Sequence, residues 1–542
     1  MTATDAAPAA PVSLDVCIVG AGFAGLYALH KLRGLGLSVH VFDAADDIGG
    51  TWFWNRYPGA RCDIESMQYS YSWNDQLQQD WQWTERFATQ PEILRYINHV
   101  ADRFDLRRGI TLNTRVIAAH HDEATGRWTL DTDTGRRIDA QYVIMATGVL
   151  SAPLIPDLKG LGDFTGPVYH TANWPHEGVD FTGLRVGVFG TGSSAIQAIP
   201  EIAKQAAHLH VFQRTPNFSV PARNQPLTPE TIAHWKSNYP ELRRHAREDT
   251  GSGTIYDFPT RSAKSVDDAT RTAEFEARWA KGGANFMHAY NDLVIDEDSN
   301  RFAADFIRRK IRETVKDPAV AEALCPTDYP IFTKRICVDS DYYATFNRPN
   351  VTLVDLKRTP FECVIPTGLR TSAAEIPLDA LVLATGFDAM TGALTRIDIR
   401  GTGGQSLKDK WSEGPRAYLG LMSAGFPNLF MVTGPGSPSV LSNVIVSIEQ
   451  HVDWITACLD HLRSTGAQRI EPTTAAEDGW VQHVNEVASA TLLPKAASWY
   501  MGANIPGKAR VFMPYIGVAN FRRKCDEVAA NGYQGFRLGK IG

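Results

Sequence analysis

Gly20-Ala21-Gly22-Phe23-Ala24-Gly25 decides the fold. An apolar run at 14–19 precedes it and reads as a buried strand. A helical pattern follows to residue 35, then a second strand at 38–42 closed by Asp43. Strand, glycine turn, helix and strand form a βαβ unit, the opening half of a doubly wound parallel sheet. Gly20 permits the tight turn, Gly22 lets backbone approach a pyrophosphate at the helix N-terminus, and Gly25 lets helix and strand pack closely. Asp43 stands where an acid would accept hydrogen bonds from a ribose. The segment therefore predicts a dinucleotide site.

A second fingerprint, Gly190-Thr191-Gly192-Ser193-Ser194-Ala195, follows a strand at 184–189 and opens a helix near Ser193. The next strand, 209–212, runs into Gln213-Arg214-Thr215 with no acid at the ribose position. An acid there would repel a 2′-phosphate, whereas Arg214 can grip one with two parallel N–H groups. The first site thus suits FAD and the second NADPH. Two strand-ending Ala-Thr-Gly turns, 146–148 and 384–386, read as structural crossings between the two units. The fold class expected is α/β, with two Rossmann-like dinucleotide-binding domains and a helical insertion. Its parts are a flexible arm (1–13), a FAD-binding domain (14–150 and 389–542), an NADP-binding domain (151–223 and 331–388) and a surface-facing helical insertion (224–330).

The chain has 542 residues, too many for one ordinary domain, with 44% hydrophobic and 21% charged residues, as in globular proteins with large cores. A net charge of -6 gives no global basic field to recruit nucleic acid or an anionic membrane. No apolar run approaches the roughly 20 residues needed to span a bilayer. The seven scattered cysteines show no C-x-x-C spacing, so neither a disulfide framework nor a metal site is expected, and a reducing cytoplasm fits. A monomer or weak oligomer is expected.

Between the two fingerprints lies Phe164-Thr165-Gly166-Pro167-Val168-Tyr169-His170-Thr171-Ala172-Asn173-Trp174-Pro175. The pattern F-x-G-x-x-x-H-x-x-x-W-P resembles the signature of the type I Baeyer–Villiger monooxygenases. The aromatic run Gly49-Gly50-Thr51-Trp52-Phe53-Trp54-Asn55-Arg56-Tyr57-Pro58-Gly59, closing with Arg61-Cys62-Asp63, resembles that family's flavin-side segment, with Phe53 where Tyr is usual. The likeness extends to residue 536 and lies nearest the branch of the phenylacetone and steroid monooxygenases.

The resemblance implies NADPH- and O2-dependent oxidation of ketones to esters or lactones, through a peroxide at C4a of the reduced flavin, with sulfide oxidation as a side activity. It places the catalytic arginine at Arg335 and its carboxylate partner at Asp63. Lys334 would join Arg214 on the 2′-phosphate, and Trp499 would reach the nicotinamide cofactor. Gly50, Thr51 and Trp52 would line the flavin. Ser439, Val440, Leu441 and Val444 match a loop lining the substrate site. Val149 and Val444 stand where the phenylacetone branch carries Gln and Met, which predicts a roomier, more apolar pocket for aryl or cyclic ketones, bulky ones included. His170 has the look of a base, yet its place in a linker assigns it, with Phe164, Gly166, Trp174 and Pro175, to domain linkage. The alternatives are an N- or S-oxidising flavin monooxygenase and a non-catalytic FAD/NADP redox sensor; a disulfide reductase would need a redox cysteine pair that Cys17 and Cys62 do not form.

Overall fold

The computed structural model describes residues 12–540. Strand Val12–Val19 lies between Val39–Phe42 and Arg137–Met145 and runs parallel to both. Leu429–Met431 pairs with Arg137–Met145, so a C-terminal segment returns to complete the first sheet. The helix Phe23–Gly34 carries the crossover, and its side chains are buried along most of their length. Gly25 is obligatory there, because a Cβ would lie 1.8 Å from the Gly20 carbonyl oxygen. The expected arm needs one correction: Val12 and Ser13 pair with Ile138 and Asp139 in the sheet, because the strand's ladder begins two residues earlier than its apolar run. The rest of the arm lies outside the described residues.

The second sheet repeats the plan. Arg185–Phe189 lies between His208–Gln213 and Ala380–Leu383, with Val351–Asp355 and Val168–His170 at the edges, all parallel. One edge strand is thus cut from the signature run itself. The Ala-Thr-Gly turns follow directly on Arg137–Met145 and Ala380–Leu383. A small antiparallel sheet of Phe361–Ile365, Gly368–Thr371 and Glu375–Pro377, absent from the sequence reading, lies beside them.

The segment at 224–330 is helical, with helices Pro229–Glu248, Asp268–Lys281, Glu297–Thr314 and Pro318–Leu324. It is not merely surface-facing. Phe275, Phe286, Phe306 and Ile307 are buried in one core with Val186, Val188, Val211 and Val382 of the second sheet. Alternating charge hid this face, since a helix with one apolar stripe reads as polar overall. Arg243 reaches further, donating to the Gln68 carbonyl (2.8 Å), the Ser70 hydroxyl (2.6 Å) and the Gln78 side chain (3.2 Å) of the first domain. Gln68 also accepts from Asn443 (2.8 Å), the N-cap of helix Val444–Thr465. The insertion therefore braces the loop that precedes that helix.

Candidate active site

The two fingerprints fold alike. Gly20 (φ +109°) and Gly190 (φ +119°) take a backbone conformation that L side chains avoid, and a Cβ would lie 2.5 Å from the Ala146 carbonyl oxygen and 2.3 Å from that of Ala384. Each helix then starts at a glycine, Gly22 or Gly192, with no side-chain cap. Their first amide groups are free of side-chain acceptors and suit a pyrophosphate. A Cβ on Gly192 would meet nothing within 4 Å, so the approach is open. Gly22 faces Gly50 at ordinary contact distance, beside the short helix Thr51–Trp54; Thr51 is exposed and Trp52 buried. These donors and glycine cradles fit two dinucleotides.

The strand ends differ. Asp43 accepts from the backbone amides of Ala21 (2.6 Å) and Ala45 (2.8 Å), and burial lifts its carboxyl above the ordinary value despite them. In the second fold Gln213 is buried and donates to the Ala323 carbonyl, while Arg214 is exposed. Thr191 donates to the Thr215 carbonyl (2.6 Å), which closes that loop; Ser193 is exposed and Ser194 half-buried. Lys334 lies 4.2 Å from the Tyr329 ring, and burial together with Arg214 pushes its ammonium below the usual lysine value. Arg214 and Lys334 thus converge on one positive corner.

Between the folds stands the charged pair. Arg335 Nε and Nη2 donate to the two oxygens of Asp63, each at 2.8 Å, and Nη1 donates to the Val440 carbonyl at 2.8 Å. Burial alone would raise the Asp63 carboxyl; the guanidinium overrides it and holds Asp63 below the ordinary range. Asp63 in turn outweighs burial at Arg335 and raises it further. Both partners are ionised across the neutral range.

Two neighbours, Tyr500 and Gln197, have no role in the sequence reading, and Tyr57 stands there only as part of the flavin-side run. Tyr500, buried and flanked by Arg335 and Asp63, has its phenol pushed up to about 12, chiefly by burial. It is this residue that faces the pair, while its neighbour Trp499 is half-buried against the core, the two rings 4.3 Å apart. Tyr57 donates to the Gln197 side chain (2.9 Å), and Gln197 donates to the Arg61 carbonyl (3.1 Å). That exchange ties the flavin-side run to the second fingerprint helix. Gln197 carries no sequence signal, since nothing in a lone helical glutamine marks a domain contact.

Val440 and Ser439 are buried, and Leu441 and Val444 half-buried, around the end of that brace. Val149 meets the same patch through Met390, whose amide donates to the Val149 carbonyl (2.9 Å) and whose sulfur accepts from Ser439 (3.9 Å). In the signature run, a Cβ on Gly166 would lie 2.4 Å from the Asp379 carbonyl oxygen and against the Phe164 ring. Trp174 is buried on Tyr169 and Phe181, and Pro175 follows it. His170 Nδ1 accepts from the Ala172 amide (3.0 Å), which leaves Nε2 protonated and facing the Leu154 carbonyl (3.1 Å) and Thr385 (3.2 Å). Burial lowers its pKa further, so the ring is a neutral strut.

A curated relative named Baeyer–Villiger monooxygenase, from Pseudooceanicola batsensis, is 44% identical over 526 residues, 96% of this chain and 95% of its own. The chain belongs to the Baeyer–Villiger monooxygenases. A steroid monooxygenase solved with NADP matches with a TM-score of 0.93 at 51% identity, covering 98% of this chain and all of its own. A complex named OTEMO, solved with FAD and NADP, matches with a TM-score of 0.94 at 40% identity and the same coverage. A phenazine N-monooxygenase of Lysobacter antibioticus is 42% identical over 532 residues, 97% of each chain. The family model for pyridine nucleotide-disulphide oxidoreductases matches residues 17–265, although all seven cysteines of this monooxygenase are unpaired. The protein is a flavin-dependent enzyme that uses FAD and NADP, as the two glycine cradles require. Among the described residues no helix is long and apolar enough to cross a membrane.

Proposed function

We propose that this monooxygenase oxidises aryl and cyclic ketones, bulky ones included, with Arg335 and Asp63 as its catalytic pair. The observation that carries the reading is the two-bond fork between them, with the third bond to Val440. FAD is assigned to residues 14–150 and 389–542, and NADP to 151–223 and 331–388, with Arg214 and Lys334 on its 2′-phosphate. When bound, the reduced flavin supplies activated oxygen and NADPH the electrons.

Oxygen insertion beside a carbonyl needs an anionic oxygen as nucleophile. A guanidinium has five N–H groups; Asp63 and the Val440 carbonyl take three of Arg335's, and the Tyr500 phenol stands beside it. An N–H left open can hold an anion without surrendering a proton, because arginine stays charged at any working pH. Asp63 fixes the plane of the fork and balances its charge in a partly buried site. The Val440 carbonyl couples that plane to the substrate loop, so a ketone against Val440 and Leu441 is registered to the guanidinium. The short side chains of Val149 and Val444 leave room for a ring. The same oxygen donor would oxidise sulfides.

A second reading, N-oxidation, is favoured by the N-monooxygenase among the relatives. Mass spectrometry of products from FAD-loaded enzyme, NADPH and air separates the two. Phenylacetone and a bulky cyclic ketone should each gain one oxygen as an ester or lactone, faster than a small acyclic ketone does. Faster oxygenation of an aromatic amine than of any ketone would overturn the assignment, and equal turnover of small and bulky ketones would overturn the pocket reading.

A further inference from the structure

Away from the Arg335–Asp63 pair, a cleft of about 760 Å³ opens between the helix Gln90–Arg103 and the segment that ends the signature run. Arg56, Trp81, Arg95 and His99 line it from the flavin side, Pro175 and His176 from the other. Its volume is in the range of small-molecule sites.

The polar lining is mostly donors: Asp102 is its one carboxylate, while the Gln90 amide and the Asn98 oxygen are engaged by the Trp52 carbonyl and by Arg107. Arg95 is exposed and, among the described residues, has no hydrogen bond or ion pair. Arg56 spends only Nε, on the Phe53 carbonyl (2.6 Å), and its guanidinium lies over the Phe53 ring at 4.7 Å. Phe53 also meets His176 edge-on at 4.8 Å, so the two walls touch through that ring. Trp81 Nε1 and His99 Nε2 are buried atoms with no partner. The nearby carboxylates are shared with Arg107, Asp102 at 2.6 Å and Asp47 at 3.1 Å, and the charges of Asp46 and Asp47 do not offset the burial of Arg56.

We propose that this cleft binds a small molecule carrying a phosphate group. The two guanidiniums offer more N–H donors than the two oxygens of one carboxylate accept, whereas a phosphate dianion presents three acceptor oxygens and pairs with arginine bidentately. Trp81 and His99, backed by the buried rings of Trp83 and Tyr96, offer apolar surface with Leu94 and Pro175 to the ester part of such a molecule. An occupant would bridge the flavin-side helix and the signature segment.

Phenyl phosphate is the probe, titrated into enzyme loaded with FAD and saturated with NADP+, so that the Arg214–Lys334 corner is filled, and followed by ³¹P NMR line broadening. Saturable binding is expected, weakened about ten-fold or more by Arg95→Glu and less by Arg95→Ala, a loss typical of one charged hydrogen bond. Flavin content and ketone turnover should be unchanged in both variants, since Arg95 has no partner to lose. The proposal fails if phenyl phosphate does not bind, if Arg95→Glu binds it as wild type does, or if excess NADP+ displaces it, which would place it at the nucleotide corner instead.

Discussion

The two dinucleotide folds of this enzyme share a backbone and differ at one strand end. In each, a strained glycine turns the chain under a strand-end carbonyl, Ala146 in the first and Ala384 in the second, and the helix begins uncapped. The first then places the half-buried acid Asp43 against the amides of its own glycine loop. The second places the exposed base Arg214 beside Lys334. On the proposed assignment, the backbone supplies pyrophosphate binding twice over, and discrimination between cofactors is left to the sign of one side chain. Arg335 and Asp63 join the halves: Asp63 comes from the loop after the first fingerprint, and Arg335 from the segment leading into strand Cys337–Asp339.

Equivalent mutations in the two turns should have unequal consequences, and this is the largest effect expected. Gly20→Ala and Gly190→Ala meet nearly the same overlap, and a non-glycine residue at such φ costs on the order of 1–3 kcal/mol before any clash. Gly20→Ala should abolish flavin retention and with it all activity. Gly190→Ala should keep FAD, read from its visible absorbance, while NADPH no longer reduces it. If both variants lose FAD, the folds are not separable units.

Breaking the pair that joins them should act on chemistry alone. Arg335→Ala is expected to lower ester formation by about 10² to 10³, the loss typical of one charge-stabilising donor, while NADPH is still consumed in air. Product analysis beside NADPH consumption reads the two separately, and retention of ester formation would remove Arg335 from the mechanism. Arg214→Ala sharpens the contrast at the strand ends. It should raise KM for NADPH by about 10- to 100-fold, the worth of a charged hydrogen bond, and leave KM for NADH unchanged. An equal rise for both cofactors would place Arg214 away from the 2′-phosphate.

The parts of this architecture legible in the sequence are those written in consecutive residues. Gly20-Ala21-Gly22-Phe23-Ala24-Gly25 shows its strand, turn and helix within 25 residues, because each glycine answers a local steric demand. The contacts that complete the site are long-range, and no local pattern encodes them. Gln197 reaches Tyr57 across 140 positions, Arg243 reaches Gln68 across 175, and Asp63 meets Arg335 across 272. The family resemblance singles out Arg335, Asp63 and Trp499, whereas Tyr500, beside Trp499, is the residue that faces the charged pair. The insertion is illegible for the same reason: its apolar stripe has meaning only once the second sheet is there to receive it.

A final test concerns a buried acid. Asp43 in the first fold is held by two amides, whereas Asp339, beside the second, accepts from the Ser219 hydroxyl and from the Tyr342 amide (3.0 Å), with no cation in hydrogen-bond reach among the described residues. Burial pushes its carboxyl from 3.8 up to about 6. A raised carboxyl favours the folded state below the unfolded value near 4, and that advantage drains away as pH climbs to about 6. Above pH 6 the charged form carries a penalty of up to about 3 kcal/mol relative to low pH. Asp339→Asn keeps an oxygen for the Tyr342 amide and removes the charge. Its Tm should match wild type near pH 4 and exceed it by a few degrees at pH 7.5, with ketone turnover unchanged. A gap in Tm that is the same at both pH values would mean that the hydrogen bonds of Asp339 offset its burial and that it does not titrate in this window.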